Sequence, residues 1–263
     1  MRDEYQVSFN AAVVGAGGIG THLLPMLIRS LMPCDSKYQL NKLVIVDGDI
    51  YERRNLSRQQ FSQLAVGRNK AQVQVEKIKR ILDGAVDAFG LDVRVRAFPH
   101  YLTEENMAAL LNILGSSENL IIFSGVDNHP CRLLLSEYTE RNKELNTLLI
   151  TGGNNRLDGS VHCQGKWFGN TFDVPVEERH PEIKTDKTDD RAALSCQELH
   201  NLAGGEQTIA ANAMAAAIMY CWYISILNNP DNTTTIEDIY YDISTMNIRA
   251  VRPAPTLEAK KGE

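Results

Sequence analysis

Two carboxylates and a run of cations stand close together in the first third of this 263-residue chain. In VIVDGDIYERRNLSRQQFSQLAVGRNKA (Val44–Ala71), Asp47 and Asp49 close an apolar run, and Arg53, Arg54, Asn55, Arg58, Arg68 and Lys70 follow. Guanidinium and ammonium groups bind phosphate, and a carboxylate accepts hydrogen bonds from sugar hydroxyls. The stretch reads as a site for a polyanion and its sugar.

The elements that must position these groups precede and follow the stretch. Ala11–Val14 is a short apolar strand, GAGGIG follows directly, and THLLPMLIRSL is helical in pattern, with Pro25 expected to kink or bound its first turn. This is the strand, glycine loop and helix order of a nucleotide fingerprint: Gly15 for the turn, Gly17 (and its neighbour Gly18) at the phosphate, Gly20 for helix packing. KLVIV is a second buried strand that delivers Asp47 and Asp49 to its carboxyl end, where open parallel sheets bind ligands.

Charge decides which nucleotide. Backbone N–H groups hold a dinucleotide pyrophosphate largely unaided, so Arg58 and Lys70 would be surplus for a nicotinamide cofactor. ATP brings more negative charge, and expelling pyrophosphate needs cations where charge grows on the leaving group. Arg58 is then the bidentate clamp, Lys70 a point charge on the phosphates, and Asn55 a group that orients a phosphate oxygen. Asp127 and Asn128 follow another buried strand, LIIFS. A carboxylate facing a triphosphate requires a cation between them, which assigns Asp127 to Mg²⁺; its alternative role is to cap the helix that carries Arg132.

The rest of the first 150 or so residues alternates helix and strand: Gly67–Phe89, Leu91–Ala97, a capped helix after Thr103, Leu120–Ser124, a helix from about Cys131 to Arg141, and Thr147–Thr151. The expected fold is α/β, a Rossmann-like doubly wound, mostly parallel sheet continued by antiparallel strands. One domain spans 1–263, with a nucleotide-binding half at 1–153 and an antiparallel extension at 154–263. In the extension, Arg156–Phe168 reads as a hairpin around Asp158-Gly159. Charged, proline-containing 170–193 reads as a mobile loop. Ala213–Leu227 reads as a buried helix too short to span a bilayer, and Ile239–Asp242 and Met246–Val251 read as edge strands.

Composition narrows the partners. A net charge of −6 argues against nucleic acid, and a polar N-terminus without a leader pattern points to the cytoplasm. Cys34, Cys131, Cys163, Cys196 and Cys221 never form CxxC, so neither a disulfide framework nor a closed zinc site is expected. Cys131 and Cys221 read as structural. Cys196 could be a reactive thiol at a helix start, or a small buried anchor. His129 and His200 read as surface or cap residues.

GAGGIG, VDGDIYERRNLSRQ, GRNK and GVDNHPCR, in this order, resemble the ThiF/MoeB/HesA superfamily, the adenylating enzymes related to ubiquitin-activating enzyme, and the chain is similar to its plasmid-associated ThiF-family proteins. The resemblance covers roughly Ala11–Thr151, and QTIAANAMAAA is similar to the family's late buried helix. It implies that Gly17, Asp47, Asn55, Arg58, Lys70 and Asp127 bind Mg-ATP. It implies adenylation of the C-terminal glycine carboxylate of a ubiquitin-like or sulfur-carrier protein, a homodimer, and Cys196 as an acceptor of the activated partner. Three departures are visible: only Arg2 could replace the arginine that the family carries on an N-terminal helix, the paired CxxC ligands are absent, and no rhodanese-like or ubiquitin-fold domain is appended. Two other readings remain, an NAD(P)-dependent oxidoreductase and a nucleotide-binding pseudoenzyme that docks a carrier.

Overall fold

The computed structural model describes residues 7–30, 37–89, 93–185, 207–228 and 236–252. Strand β1 (Val7–Val14) is buried along most of its length and lies at the centre of the parallel part of the sheet. It is flanked by β2 (Tyr38–Val46) and β4 (Asn119–Ser124), with β3 (Arg94–Phe98) beyond β2 and β5 (Asn146–Asn154) beyond β4, all parallel. Strands buried on both faces read as continuous apolar runs, which is why VVIV-like segments mark them so clearly in the sequence.

Alternation sorts the strand residues between two cores. Phe9, Ala11, Val13, Leu43, Ile45, Ile121 and Phe123 face α1 (Gly18–Ser30), α2 (Lys70–Phe89) and the late helix α7 (Ile209–Asn228). Ala12, Val14, Val44, Val46 and Ile122 face α3 (Glu104–Leu114) and α4 (His129–Arg141). The order β3-β2-β1-β4-β5 reverses direction between β1 and β4, so the carboxyl ends of those strands open on the crevice where the glycine loop, Asp47 and Asp127 converge.

The antiparallel extension runs β6 (Asp158–Trp167), β8 (Asp238–Asp242) and β9 (Asn247–Val251), with β7 (Asn170–Phe172) paired to β6. The turn before β6 is Asn155–Leu157, closed by Asn155 N donating to Asp158 O at 2.9 Å, so Asp158-Gly159 opens the strand rather than forming the hairpin turn. A Cβ at Gly159 would lie 2.4 Å from the Tyr241 hydroxyl and 2.5 Å from Gly153 O; close packing, not a turn, requires that glycine. Of the two strands expected at an edge, β8 is internal, paired on both sides, and β9 is an edge.

Over 170–185 the expected mobile loop is replaced by β7 and two short helices, α5 (Val176–Arg179) and α6 (Glu182–Thr185). Val176, Glu177 and Ile183 are buried, and Arg179 donates to Cys163 O at 2.7 Å and Glu237 O at 2.9 Å. The remainder of that loop, with Cys196 and His200, lies outside the described residues, as do Arg2 and Cys34. Helix α1 runs through Pro25 without ending there. At 20 residues, α7 is by length and composition able to cross a membrane; its face of Ala211, Ala215, Met219, Trp222, Tyr223 and Ile226 is buried against α1, β5 and β6. Cys221 is exposed, away from that buried face, and is not the core residue that its helix position suggested.

Candidate nucleotide site

The glycine loop turns between β1 and α1. Gly15 has φ of +93°, a conformation that side chains with a Cβ rarely adopt, and a Cβ at Gly20 would lie 2.0 Å from Gly15 O. Gly18 packs against the Asn212 side chain of α7. Gly17 differs: the nearest described neighbour to an added Cβ is Gln59 Nε2 at 3.6 Å, so no described residue demands glycine there. The open space above Gly17 is where a ligand can approach the backbone.

Asp47 braces this loop. Its Oδ2 accepts from Ala16 N at 2.7 Å and its Oδ1 from Asp49 N at 2.8 Å. Burial raises its pKa to about 6, with Asp49 adding to the rise and Lys70 and the two backbone N–H groups opposing it. Asn69 donates to Asp47 O at 2.9 Å and Asp49 O at 3.1 Å, so the start of α2 is tied to the carboxyl end of β2.

Lys70, only 7% exposed, pairs with Asp49 at 2.8 Å. Burial alone would lower its pKa; Asp47, Asp49 and Asp127 together raise it. The same neighbourhood acts on Asp49: burial pushes up, but Lys70's charge, its hydrogen bond and that of the Tyr101 hydroxyl hold the carboxyl below its ordinary value. Three carboxylates thus act on one ammonium, Asp49 by direct contact, a local balance of −2. Their donors are all hard oxygens, the set that suits Mg²⁺ rather than a soft metal.

Arg58 follows a short 3₁₀ turn (Arg53–Ser57). Its Nε is buried with no hydrogen-bond partner among the described residues, and its carbonyl accepts from Asn212 Nδ2 at 3.3 Å. Asn55 builds the turn: its Oδ1 accepts from Glu52 N at 2.9 Å, so that oxygen is committed to the backbone rather than to a ligand. Asn128 is likewise the N-cap of α4, accepting from Cys131 N at 2.9 Å, which leaves Asp127 exposed beside it and not the cap. Cys131 is buried, with its thiol pushed up to about 12 chiefly by burial, and takes no part in chemistry.

Residues 6–261 match the family model described as the ThiF family. The chain belongs to the ThiF family. Its fold is that of solved structures of E. coli MccB with AMPCPP and MccA (TM-score 0.61, 17% identity) and of E. coli MccB with ATP (0.60, 19%), and of PaaA (0.60, 17%). Each likeness covers 92% of this chain and 63% of the other, so this ThiF-family chain spans under two thirds of those proteins' length. No curated protein matches the sequence.

Residues that the sequence did not single out also brace the candidate site. Tyr51 is fully buried, stacks on Phe61 with centroids 3.9 Å apart, donates to Ala16 O at 3.3 Å and accepts from Gln74 Nε2 at 2.7 Å. It therefore ties the glycine loop to α2. Asn212, fully buried, leaves Oδ1 without a partner among the described residues, and buried Gln59 does the same with Oε1. An amide among alanines was the available sign for Asn212. Tyr101, distant in sequence, carried none.

Proposed function

We propose that this chain activates the C-terminal carboxylate of a small protein or peptide partner by adenylation, using Mg-ATP. The observation that carries the reading is the cation arrangement at the glycine loop. Lys70 pairs with Asp49 in the field of Asp47 and Asp127, and Arg58 presents a buried Nε without a partner among the described residues. A triphosphate supplies an anion for the Arg58 guanidinium and its divalent cation offsets the excess carboxylate charge, whereas a dinucleotide pyrophosphate carries fewer negative charges and brings no divalent cation.

In this scheme Gly17 admits the phosphates and Asp47 holds the loop. Arg58 and Lys70 neutralise the departing pyrophosphate. Asp127 would hold Mg²⁺, which supplies charge neutralisation on the phosphates when bound. No general base is needed, because a carboxylate is ionised and nucleophilic at neutral pH. Family membership supports the reaction class, and the likeness to MccB, solved with ATP and with MccA, supports a nucleotide and a small partner. The partner class we favour is a ubiquitin-like or sulfur-carrier protein, with a homodimer as the working assembly.

The test is exchange of labelled pyrophosphate into ATP in the presence of candidate carriers. Carrier-dependent exchange that Arg58→Ala and Asp127→Ala abolish supports adenylation. Full exchange in both variants, or nucleotide binding without carrier-dependent exchange, removes it.

A further inference from the structure

On the far side of β5 from the glycine loop, the face of β6 and β8 carries a chain of hydrogen bonds unused by the nucleotide site. Ser160 Oγ lies 2.9 Å from His162 Nε2, and His162 Nδ1 lies 2.7 Å from Asp238 Oδ1. Ser160 and His162 are two apart on β6 and share a face, and Asp238 sits directly opposite His162 on β8. Asp238 is fixed in turn by the Arg179 guanidinium, with His180 Nε2 at 3.6 Å.

Chemistry selects one tautomer. Burial, chiefly, holds His162 down at about 4, so the ring is neutral at pH 7. Burial would raise Asp238, but its hydrogen bonds from His162 and His180 and the charge of Arg179 keep it well below the usual carboxylate range. Ionised Asp238 can only accept, so Nδ1 carries the ring proton and Nε2 accepts from the Ser160 hydroxyl. A hydroxyl donating to a base, with the base oriented by a carboxylate, is the arrangement of an activated nucleophile.

We propose that Ser160, His162 and Asp238 form a second, acyl-accepting site, with Ser160 Oγ as nucleophile toward an activated carboxylic acyl group. Ser160 is half-buried, not sealed, and Tyr240 stands directly opposite it on β8, with a partly exposed ring on the same face. The Tyr240 ring lies 6.1 Å from the His162 ring, with its hydroxyl 3.5 Å from His180 Nε2, so a phenolic donor stands beside the site for the developing oxyanion. In the step, the Oγ–acyl carbon bond forms and the bond from that carbon to the leaving oxygen breaks. The serine proton passes to His162 Nε2 and then to the leaving group, or to water when a phosphate leaves; the product is an ester on Ser160.

The position suits an acceptor. Ser160 pairs with Gly153 of β5, whose Cβ position is 2.5 Å from the Arg132 guanidinium, and Arg132 donates to Val126 O at 2.9 Å beside Asp127. Supply of the acyl group by an adenylate rests on the proposed function above; the serine's reactivity does not.

The experiment treats the full chain, without ATP, with a fluorophosphonate probe and separately with p-nitrophenyl acetate, and maps adducts by peptide mass. The expected result is one adduct per chain on Ser160, absent in Ser160→Ala of unchanged circular dichroism, with the rate cut about 100-fold or more in His162→Gln. Should His162→Gln unfold, the wild-type and Ser160→Ala comparison decides alone. Folded wild-type protein with no adduct on Ser160, or equal labelling in Ser160→Ala, overturns the proposal. Neither result bears on pyrophosphate exchange, so the two readings fail separately.

Discussion

Lys70 Nζ donates to Asp49 Oδ2 at 2.8 Å, joining the first residue of α2 to the loop that leaves β2. The bond places an ammonium at the mouth of the crevice and keeps it there without a ligand. Lys70→Gln removes that charge and lowers ATP affinity by about tenfold to a hundredfold, the worth of one hydrogen bond to a charged group. Asp49→Asn loosens the ammonium without removing it and costs less. Titration with a fluorescent ATP analogue orders the two; equal affinity of Lys70→Gln and wild type contradicts the assignment.

Gly17 and Gly20 separate ligand contact from folding. A Cβ at Gly20 collides with Gly15 O, so Gly20→Ala destabilises the chain by about 1–3 kcal/mol or more. A Cβ at Gly17 meets no protein atom closer than 3.6 Å, so Gly17→Ala keeps the wild-type Tm while losing at least about tenfold in ATP affinity. Thermal unfolding and nucleotide titration on both variants check the contrast.

Asp47 gives a pH signature with a definite sign. Its folded pKa of about 6 lies above the ordinary 3.8, so the folded state takes up a proton first as pH falls. Its ionised form therefore opposes folding at neutral pH, and the penalty fades between about pH 6 and the unfolded value. Relative to Asp47→Ala, wild type gains stability as pH drops from 7 to 4. Asp49 works in the opposite direction: its depressed pKa contributes stability above the ordinary carboxylate value and loses it as pH falls further. Urea unfolding across pH 4–7 reads the Asp47 contribution directly.

Trp167 is fully buried at the end of β6, edge-on to Phe9 with centroids 5.6 Å apart. Trp167→Ala costs about 3–5 kcal/mol by loss of packing, measurable in equilibrium unfolding. Because Phe9 belongs to β1, the loss also uncouples the antiparallel extension from the nucleotide-binding half.

How far these features were legible depends on what each residue is used for. The parallel strands announce themselves because both faces are buried, and Gly15, Asp47, Lys70 and Asp127 converge because each follows or precedes a strand at its carboxyl end. Asp158-Gly159 misleads because the same dipeptide serves a turn or a tightly packed strand, and only Tyr241 decides which. The charged stretch after Asn170 hides its order in one residue: Arg179 reaches Cys163 O on β6, Glu237 O just before β8 and the Asp238 carboxylate on β8. Asn55 and Asn128 show the remaining ambiguity. An amide near a ligand site is also the residue type that caps a turn or helix, and here both do so.

Calorimetric titration of the chain with ATP, with and without Mg²⁺, tests the central claim most directly. The account predicts ATP binding that Mg²⁺ strengthens, that Arg58→Ala weakens by at least about tenfold, and that NADH does not compete for. Binding of NADH in place of ATP, or wild-type ATP affinity in Arg58→Ala, would contradict it.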